Sequence, residues 1–554
     1  MICRRLESRF SRWKTTALLL LALLAMPVAH AEEWTYRVRL SDNIWDLSSR
    51  YMKPDVPWQK LQEYNKVTDP YHLPPGMSLR IPIAWLRVQP AKAEVVAVIG
   101  SAHVQLPGQT QSIDIKPGAL LAYGSRLVTD ANASLTLQFA DGSRVLMQQD
   151  SELALDRMSA YGRTGMVDTR LRLQRGRASS SVTPMTGAAA HFSVETPGTI
   201  SSVRGTHFRV AADATTQQSQ TEVLTGRVDV SGDHHHTLLQ KGNGVAVADG
   251  SSPGEPQPLL PAPALHCPSQ AITRSPFEFS WPALDGAQRY RIQVAPNTRF
   301  EALLVDREVD SAQVSLPDLL DGDYALQVRG IDANHLEGQD AICAVHISGH
   351  PQPPLLMDPQ SEAKARNTRP SFRWTESEEA MSYAWQLASD PQFTHLLDNQ
   401  PMLRSDHVRA SQSLPYGRYY WRIASRDSNG KQGPFTDAIP FELIAEPPAP
   451  ELGKPKHTRH ELSLGWQTGT PGQRYHVQID KDPAFTHPLV DQTVDQAALQ
   501  IKKPGSGTWY VRVQVIDTDN YAGPWGPTQK IRLPCISCRI AAIGGGAALL
   551  WLLL

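Results

Sequence analysis

Trp281, Trp374 and Trp466 stand 93 and 92 residues apart, and the same spacing separates Tyr290, Tyr383 and Tyr475, then Phe300, Phe393 and Phe485. A segment present three times must fold as three like units, because each copy carries the same hydrophobic pattern and needs its own core. Within each copy a tryptophan strand leads to YRIQV, YAWQL or YHVQI and then to a D/N-x-x-F turn. Gly322, Gly417 or Gly507 next opens GDYALQV, GRYYWRI or GTWYVRV. Seven or so short alternating strands per copy predict an antiparallel sandwich with the tryptophan and tyrosine in its core. The copies are bounded at 267–349, 355–444 and 447–533. A chain of 554 residues leaves about 260 ahead of them, enough for further domains. The expected fold class is multidomain and mainly β: a small βααβ module, an all-β domain and three tandem sandwiches.

The repeated pattern resembles fibronectin type III domains, a fold whose members mostly space, present or bind. Gln293, Gln386 and Gln478 recur at an outward strand position, and two readings stand: a repeated contact, or a solvent-facing residue kept by duplication. Cys267 precedes the first strand of its copy and Cys343 lies in the last, AICAVHIS. First and last strands adjoin in such sandwiches, so a Cys267–Cys343 disulfide is expected. The proline-rich stretch at 251–266, PGEPQPLLPAPALHCP within its surroundings, predicts an extended, semi-rigid linker.

Residues 1–31 read as a secretory signal. Arg4, Arg5, Arg9, Arg12 and Lys14 precede the apolar run from Ala17 to Ala29, and Ala29-His30-Ala31 supplies a small-x-small cleavage pattern. An uncut anchor is the other reading, but about 13 apolar residues fall short of the ~20 that span a bilayer. At the other end, 535–554 closes in IAAIGGGAALLWLLL after Arg539. As a helix that run reaches ~22 Å against a ~30 Å core, and counting from Cys535 reaches ~30 Å. A membrane anchor, a removed sorting tail and an interfacial end all remain open for it. Cys535-Ile-Ser-Cys538 lacks the second pair that zinc needs.

Between Tyr36 and Pro82 the chain reads as strand, helix, helix, strand. Tyr36 and Val38 alternate. Ile44, Trp45, Leu47, Ser48 and Tyr51 fall at helical spacing behind an Asp42 or Ser41 cap, with Trp45 expected in the core. Trp58, Leu61 and Tyr64 carry a second helix, Asp69-Pro70 turns the chain, and Pro75-Gly76 leads to a strand from Ser78 to Ile81. This module, 34–83, resembles the LysM family of peptidoglycan and chitin binders, with Ser41 where the family has glycine and Asn43 where it has threonine. The resemblance implies that N-acetylglucosamine-containing glycan binds between two loops, Leu40 to Ile44 and Val67 to Leu73. It assigns binding to Ser41, Asp42, Asn43, Ile44, Thr68, Asp69, Pro70 and Tyr71, while a plain helix cap is the alternative role for Asp42.

Residues 94–250 are rich in short apolar alternations broken by Pro107-Gly108, Pro117-Gly118, Asp141-Gly142 and Pro197-Gly198. SLTLQFADGSRVLM reads as strand, tight turn, strand. The succession of the F-A-D-G-S turn with Asp141 and Gly142, the V-R-G-T-x-F element with Arg204, Gly205 and Thr206, and the later G-R-V resembles the FecR domain of bacterial signal-transfer proteins. The resemblance implies an envelope protein as partner. Arg204 and Thr206 offer themselves to a ligand or a partner strand, or else pair locally. His234, His235 and His236 are consecutive on a loop, which suits a single metal ion poorly, so no metal is expected.

The sequence holds no H-E-x-x-H, G-x-S-x-G, G-x-x-x-x-G-K or strand-to-helix G-x-G-x-x-G. No catalytic residue and no cofactor are expected. With 54 basic against 55 acidic residues, nucleic acid is not an expected partner. The expected function is a non-catalytic protein of the periplasm or cell envelope of a Gram-negative bacterium. It would bind peptidoglycan through the first module and present or sense a partner through the others. The alternative is a periplasmic signal-transducing regulator whose FecR-like domain receives a signal from another envelope protein.

Overall fold

The computed structural model of the chain describes residues 32–534; the signal reading at 1–31 and the tail reading at 535–554 lie outside the described residues. The described residues divide into two compact units, one up to His350 and one from Pro351 onward. Among the described residues no helix is long and apolar enough to cross a membrane.

The first unit begins with β1, Glu33–Arg37, which pairs antiparallel with β2, Ser78–Pro82, setting Trp34 opposite Ile81 and Tyr36 opposite Leu79. Between them run α1, Ile44–Tyr51, and α2, Trp58–Tyr64. The buried positions of α1 are Ile44, Leu47, Ser48 and Tyr51, the i, i+3, i+4, i+7 stripe of an amphipathic helix. Its cap is Asn43, whose Oδ1 accepts the Asp46 N–H at 2.8 Å, so neither Asp42 nor Ser41 fills that role. Trp45 lies about 100° around the helix from the start of the stripe and is 61% exposed, not core as expected. The module's core includes Met166, Ala189 and Ala190 of the next domain, so the two are packed together.

That next domain is a closed β-structure running from the strand Val88–Pro90 to Gln257–Pro258, wider at both ends than 94–250. Its longest strand, Val167–Ser181, serves two sheets. The first half pairs antiparallel with Glu152–Tyr161 and parallel with His191–Glu195; the second pairs with Arg144–Met147 and His207–Asp213. The change of partner comes at Gly176, where φ is +89° and a Cβ would lie 2.2 Å from Ser151 Oγ and 2.5 Å from Ser151 Cα. Glycine is required there by both conformation and space. Alternate residues fill one core, in which Phe139, Phe192 and Phe208 meet edge to face.

The proline-rich stretch is stitched down rather than free. Gln257–Pro258 extends the barrel against Asn243–Gly244, Leu259 N–H donates to Gly242 O, and Leu260 O accepts Gln339 N–H from the first repeat. Prolines keep the segment extended, and an extended segment can add to a strand edge. The first repeat packs a four-stranded sheet on a two-stranded one, and Cys267 is bonded to Cys343 with Cα atoms 5.6 Å apart.

This repeat docks on the barrel through its outward sheet face. Leu146 of the barrel clusters with Ala295, Phe300, Leu303 and Ala325, while Leu303 N–H donates to Ser134 Oγ at 3.1 Å. Beside this apolar patch Arg177 and Arg209 of the barrel and Arg291 and Arg329 of the repeat surround the fully buried Glu337. Asp340 takes Arg209 and Arg329 at 3.1 and 3.0 Å, Asp306 takes Arg291 at 2.8 Å, and Glu222 takes Arg209 at 3.0 Å. Burial alone would raise the Glu337 carboxyl, but the four guanidinium groups hold it well below its ordinary value.

Unit two holds the second and third repeats. All three repeats place their tryptophan edge-on to the tyrosine, with ring centroids 5.4, 5.6 and 5.5 Å apart. Each tyrosine oxygen accepts a backbone N–H six residues away, from Leu284, Ser377 or Gly469, so the phenol is anchored while its ring stays buried. The repeated glutamines are not solvent-facing as the blander reading had it: Gln293 and Gln478 are buried and Gln386 half-buried. Gln386 and Gln478 accept from Arg422 and Arg512, whose guanidinium groups lie between Phe393 and Phe435 and between Phe485 and Trp525. Arg366 of the second repeat reaches the third, pairing with Asp517 and Asp519 at 2.7 Å each and lying 4.1 Å from the Tyr521 ring centre.

Candidate functional site

Two loops of the N-terminal module meet over the βααβ core. The first, joining β1 to α1, turns at Ser41, which adopts φ +70° where a glycine would be unstrained. Asp42 holds the turn: its Oδ2 accepts from Arg39 N and from Tyr36 Oη, both at 2.7 Å. Burial, the hydrogen bond to Asp42 and the Asp42 charge push the Tyr36 phenol up to about 12. Asn43 is committed to α1, accepting from Asp46 N and donating to Asp46 Oδ2.

The second loop is fixed by Asp69, whose Oδ1 accepts the N–H groups of Tyr71 at 2.9 Å and His72 at 3.3 Å and whose Oδ2 lies 3.0 Å from His72 Nδ1. The Tyr71 N–H and the His72 ring lower its carboxyl from the ordinary value. Ile44 N–H donates to Pro70 O at 3.0 Å and ties the loops to each other. The structure therefore brings together both predicted stretches, but it gives their polar side chains internal duties. Ile44 is fully buried and contributes its backbone alone, Pro70 is half-buried, and Ser41 and Thr68 are exposed.

Beside these polar residues the loops also leave large apolar groups to solvent. Leu40 is 83% exposed and Tyr71 70%, and Trp45 follows Ile44 as Tyr71 follows Pro70 on either side of the tie. An exposed aromatic ring can take the apolar face of a pyranose while polar groups of a neighbouring loop meet its hydroxyl or acetamido groups. Trp45 is a further exposed ring next to the tie that the sequence reading had placed in the core. A helical wheel registered on Ile44, Leu47 and Tyr51 would have put it off the buried face.

In the barrel, the predicted motif residues build the frame. Asp141 accepts from Ser143 N at 3.0 Å and Oγ at 2.7 Å across a turn in which Gly142 has φ +84°, and Ser143 Oγ in turn accepts Thr183 N–H. Thr206 is buried and donates to Arg227 O at 2.9 Å, and a Cβ on Gly226 would lie 2.8 Å from Gly205 O. The V-R-G-T and G-R-V elements thus pack on each other. Arg204 is exposed. Asp233 and His234, both at positive φ, form the two-residue turn between Arg227–Gly232 and His235–Gln240. No group of three or more metal-ligating side chains occurs among the described residues.

Residues 36–82 match the LysM domain model, and residues 125–229 match the FecR protein model. No curated protein matches. Among solved structures, a "putative anti-sigma factor" from Parabacteroides distasonis ATCC 8503 is 17% identical with a TM-score of 0.21, over 24% of this chain and 59% of that one. The chain thus spans 59% of that protein's length. The chicken CNTN1 FN1-FN3 domains are 15% identical over 50% of this chain and 99% of theirs, with a TM-score of 0.24. The Clostridium thermocellum CbhA fibronectin(III)-like modules are 12% identical over 32% and 92%, with a TM-score of 0.23. The chain carries a LysM domain followed by a FecR domain, families that are typically non-catalytic.

Proposed function

We propose that the protein is a non-catalytic component of the cell envelope that holds peptidoglycan through its LysM domain and receives or presents an envelope protein through its FecR domain and sandwiches. The observation that carries the reading is the LysM match over 36–82 together with two tied loops that expose Leu40 and Tyr71 above a fixed backbone. The ligand is a glycan bearing N-acetylglucosamine, gripped by ring stacking and polar loop groups, with Asp42 and Asp69 holding the loops in place. The Cys267–Cys343 bond supports an oxidising, extracytoplasmic location, in keeping with the signal reading of 1–31. A signalling role is favoured by the FecR match, since that family implies an envelope partner.

The test is co-sedimentation of the full-length protein with insoluble peptidoglycan sacculi. Wild type is expected in the pellet, displaced by soluble glycan fragments, with Tyr71→Ala shifted to the supernatant. Wild-type protein that stays in the supernatant over a broad range of salt and pH would end the tethering reading.

A further inference from the structure

The residues of the V-R-G-T and G-R-V elements divide into those the fold uses and those it leaves over. Thr206 donates to Arg227 O and a Cβ on Gly226 would lie 2.8 Å from Gly205 O, so these three residues close the packing of one element on the other. The side chains of Arg204 and Arg227 take no part in it. Each arginine stands one residue beyond the antiparallel pair Val203–Val228, whose side chains are buried, so alternation turns both outward and opposite each other. Both are exposed and line one groove of about 540 Å³. Directly opposed side chains lie roughly 5 Å apart at Cβ, and like charges so placed repel. Arg204 reaches the Ala188 carbonyl at 3.5 Å, and neither arginine meets a carboxylate among the described residues.

The acidic groups on the same sheet face are already engaged. Asp168 lies 3.0 Å from Arg157 and 3.3 Å from Arg170, Glu195 lies 3.8 Å from Arg172, and Asp229 lies 3.4 Å from His236. Further along the strands the groove turns apolar. Leu238, opposite Asp229, is 52% exposed, and Ile200, four residues before Arg204, is 43% exposed. The groove therefore offers two uncompensated cations and, beside them, two aliphatic side chains in water. A carboxylate matches the fork of a guanidinium with two oxygens. A polyphosphate would press its charge on Asp229 and Glu195 and leave Leu238 and Ile200 uncovered. A peptide that carries both carboxylates and an aliphatic residue meets each part of the groove.

We propose that Arg204 and Arg227 receive an acidic segment of a partner protein, with its carboxylates on the two guanidinium groups and an aliphatic side chain against Leu238 and Ile200. This rests on the reading of the FecR domain as the receiver of an envelope protein, and it gives that contact a place and a chemistry. Repulsion between the two arginines weakens the free domain and is relieved when the segment binds.

The probe is an end-capped, fluorescein-labelled peptide of alternating glutamate and leucine, titrated into the full-length protein at low ionic strength and followed by anisotropy. Binding to wild type is expected, weakened at least about tenfold in Arg204→Gln/Arg227→Gln and weakened in Leu238→Ser. Arg204→Glu/Arg227→Glu should lose this peptide and take up its lysine–leucine counterpart, while Lys116→Glu, at an exposed cation elsewhere on the barrel, should change nothing. Melting curves at low salt show that each variant is folded, and the midpoint of Arg204→Gln/Arg227→Gln should equal or exceed that of wild type; a fall would mean that the pair serves the fold and would overturn the assignment. So would wild type that ignores the peptide, equal binding of a glutamine–leucine control, or capture of phosphatidylglycerol vesicles through the same arginines. Sedimentation with sacculi should be the same in wild type and in all of these variants, which keeps a failure here distinct from a failure of peptidoglycan binding.

Discussion

Asp42 and Tyr36 show how a side chain that reads as a ligand in sequence becomes a strut in the fold. Polar residues in a loop are equally suited to both roles, and the choice is made by which backbone N–H or phenol lies within 3 Å. Here Asp42 meets Arg39 N and Tyr36 Oη. Replacing Asn43 with alanine should cost the module about 1 kcal/mol through the lost cap, seen as a lower denaturation midpoint, with sacculus binding of the folded fraction unchanged. Trp45→Ala should do the reverse, lowering glycan affinity with little change in the midpoint, because its ring is mostly in solvent. The Tyr36 phenol titrates at about 12 in the fold, above the ~10 of an unfolded chain. Protonated Tyr36 therefore adds stability that is fully present below pH ~10 and lost as pH rises through the folded value. Ultraviolet absorbance titration should find a tyrosine ionising at about 12 in wild type and missing in Tyr36→Phe; its persistence in the variant would refute the assignment.

Elements were legible where a period ran long enough. The Ile44 to Tyr51 stripe, the Asp141-Gly142 turn and the threefold Trp-Tyr-Phe spacing each find their place in the structure. Partner choice between strands was not legible, because the alternation of Val167–Ser181 says which face is buried and nothing of which neighbours it pairs with. Its switch from one sheet to another rests on Gly176, a single residue within RLRLQRGRASSS. Gly176→Ala should destabilise the barrel by at least about 1–3 kcal/mol, from positive φ and from overlap with Ser151; equilibrium denaturation within error of wild type would contradict the role given to it. The cover on Gln293 was also beyond sequence, since a period-2 pattern marks it as outward without revealing that another domain lies there. For the first repeat, Cys267 and Cys343 close a loop with a separation of 76 residues, for which chain entropy gives ~4 kcal/mol. Reduction, or Cys267→Ser, should lower the repeat's melting transition accordingly.

At the scale of the molecule, charge holds neighbouring domains together in each unit, but at different depths. Arg366, itself buried, joins the second repeat to two carboxylates of the third that keep some exposure, whereas Glu337 joins the FecR domain and first repeat from full burial. A buried ionic cluster adds little net stability compared with apolar packing, yet removing one member leaves its partners charged and unmatched, at about 3–5 kcal/mol. Glu337→Ala takes the shared carboxylate from Arg177, Arg209, Arg291 and Arg329 at once and leaves Arg177 unmatched, while Asp340, Asp306 and Glu222 still meet the other three. Scanning calorimetry should then resolve the FecR domain and first repeat as separate, earlier transitions where wild type melts them as one. The pH response has two signs. Burial works against Glu337 and Asp340, but the arginines hold both carboxyls low, so their stabilisation is present above the unfolded values near 4 and falls away as pH drops through the folded ones. Glu222 is raised by burial, with the Glu337 charge adding and Arg209 opposing; its stabilisation is full below the unfolded value and lost as pH rises through the folded one. The junction should therefore be most stable in mildly acidic solution and weaken on either side. Glu222→Gln should remove the loss on the alkaline side while leaving the acid limb in place. A junction whose melting is flat across the alkaline side of that range, in wild type and variant alike, would show that Glu222 is ionised throughout and that the cluster is electrically closed.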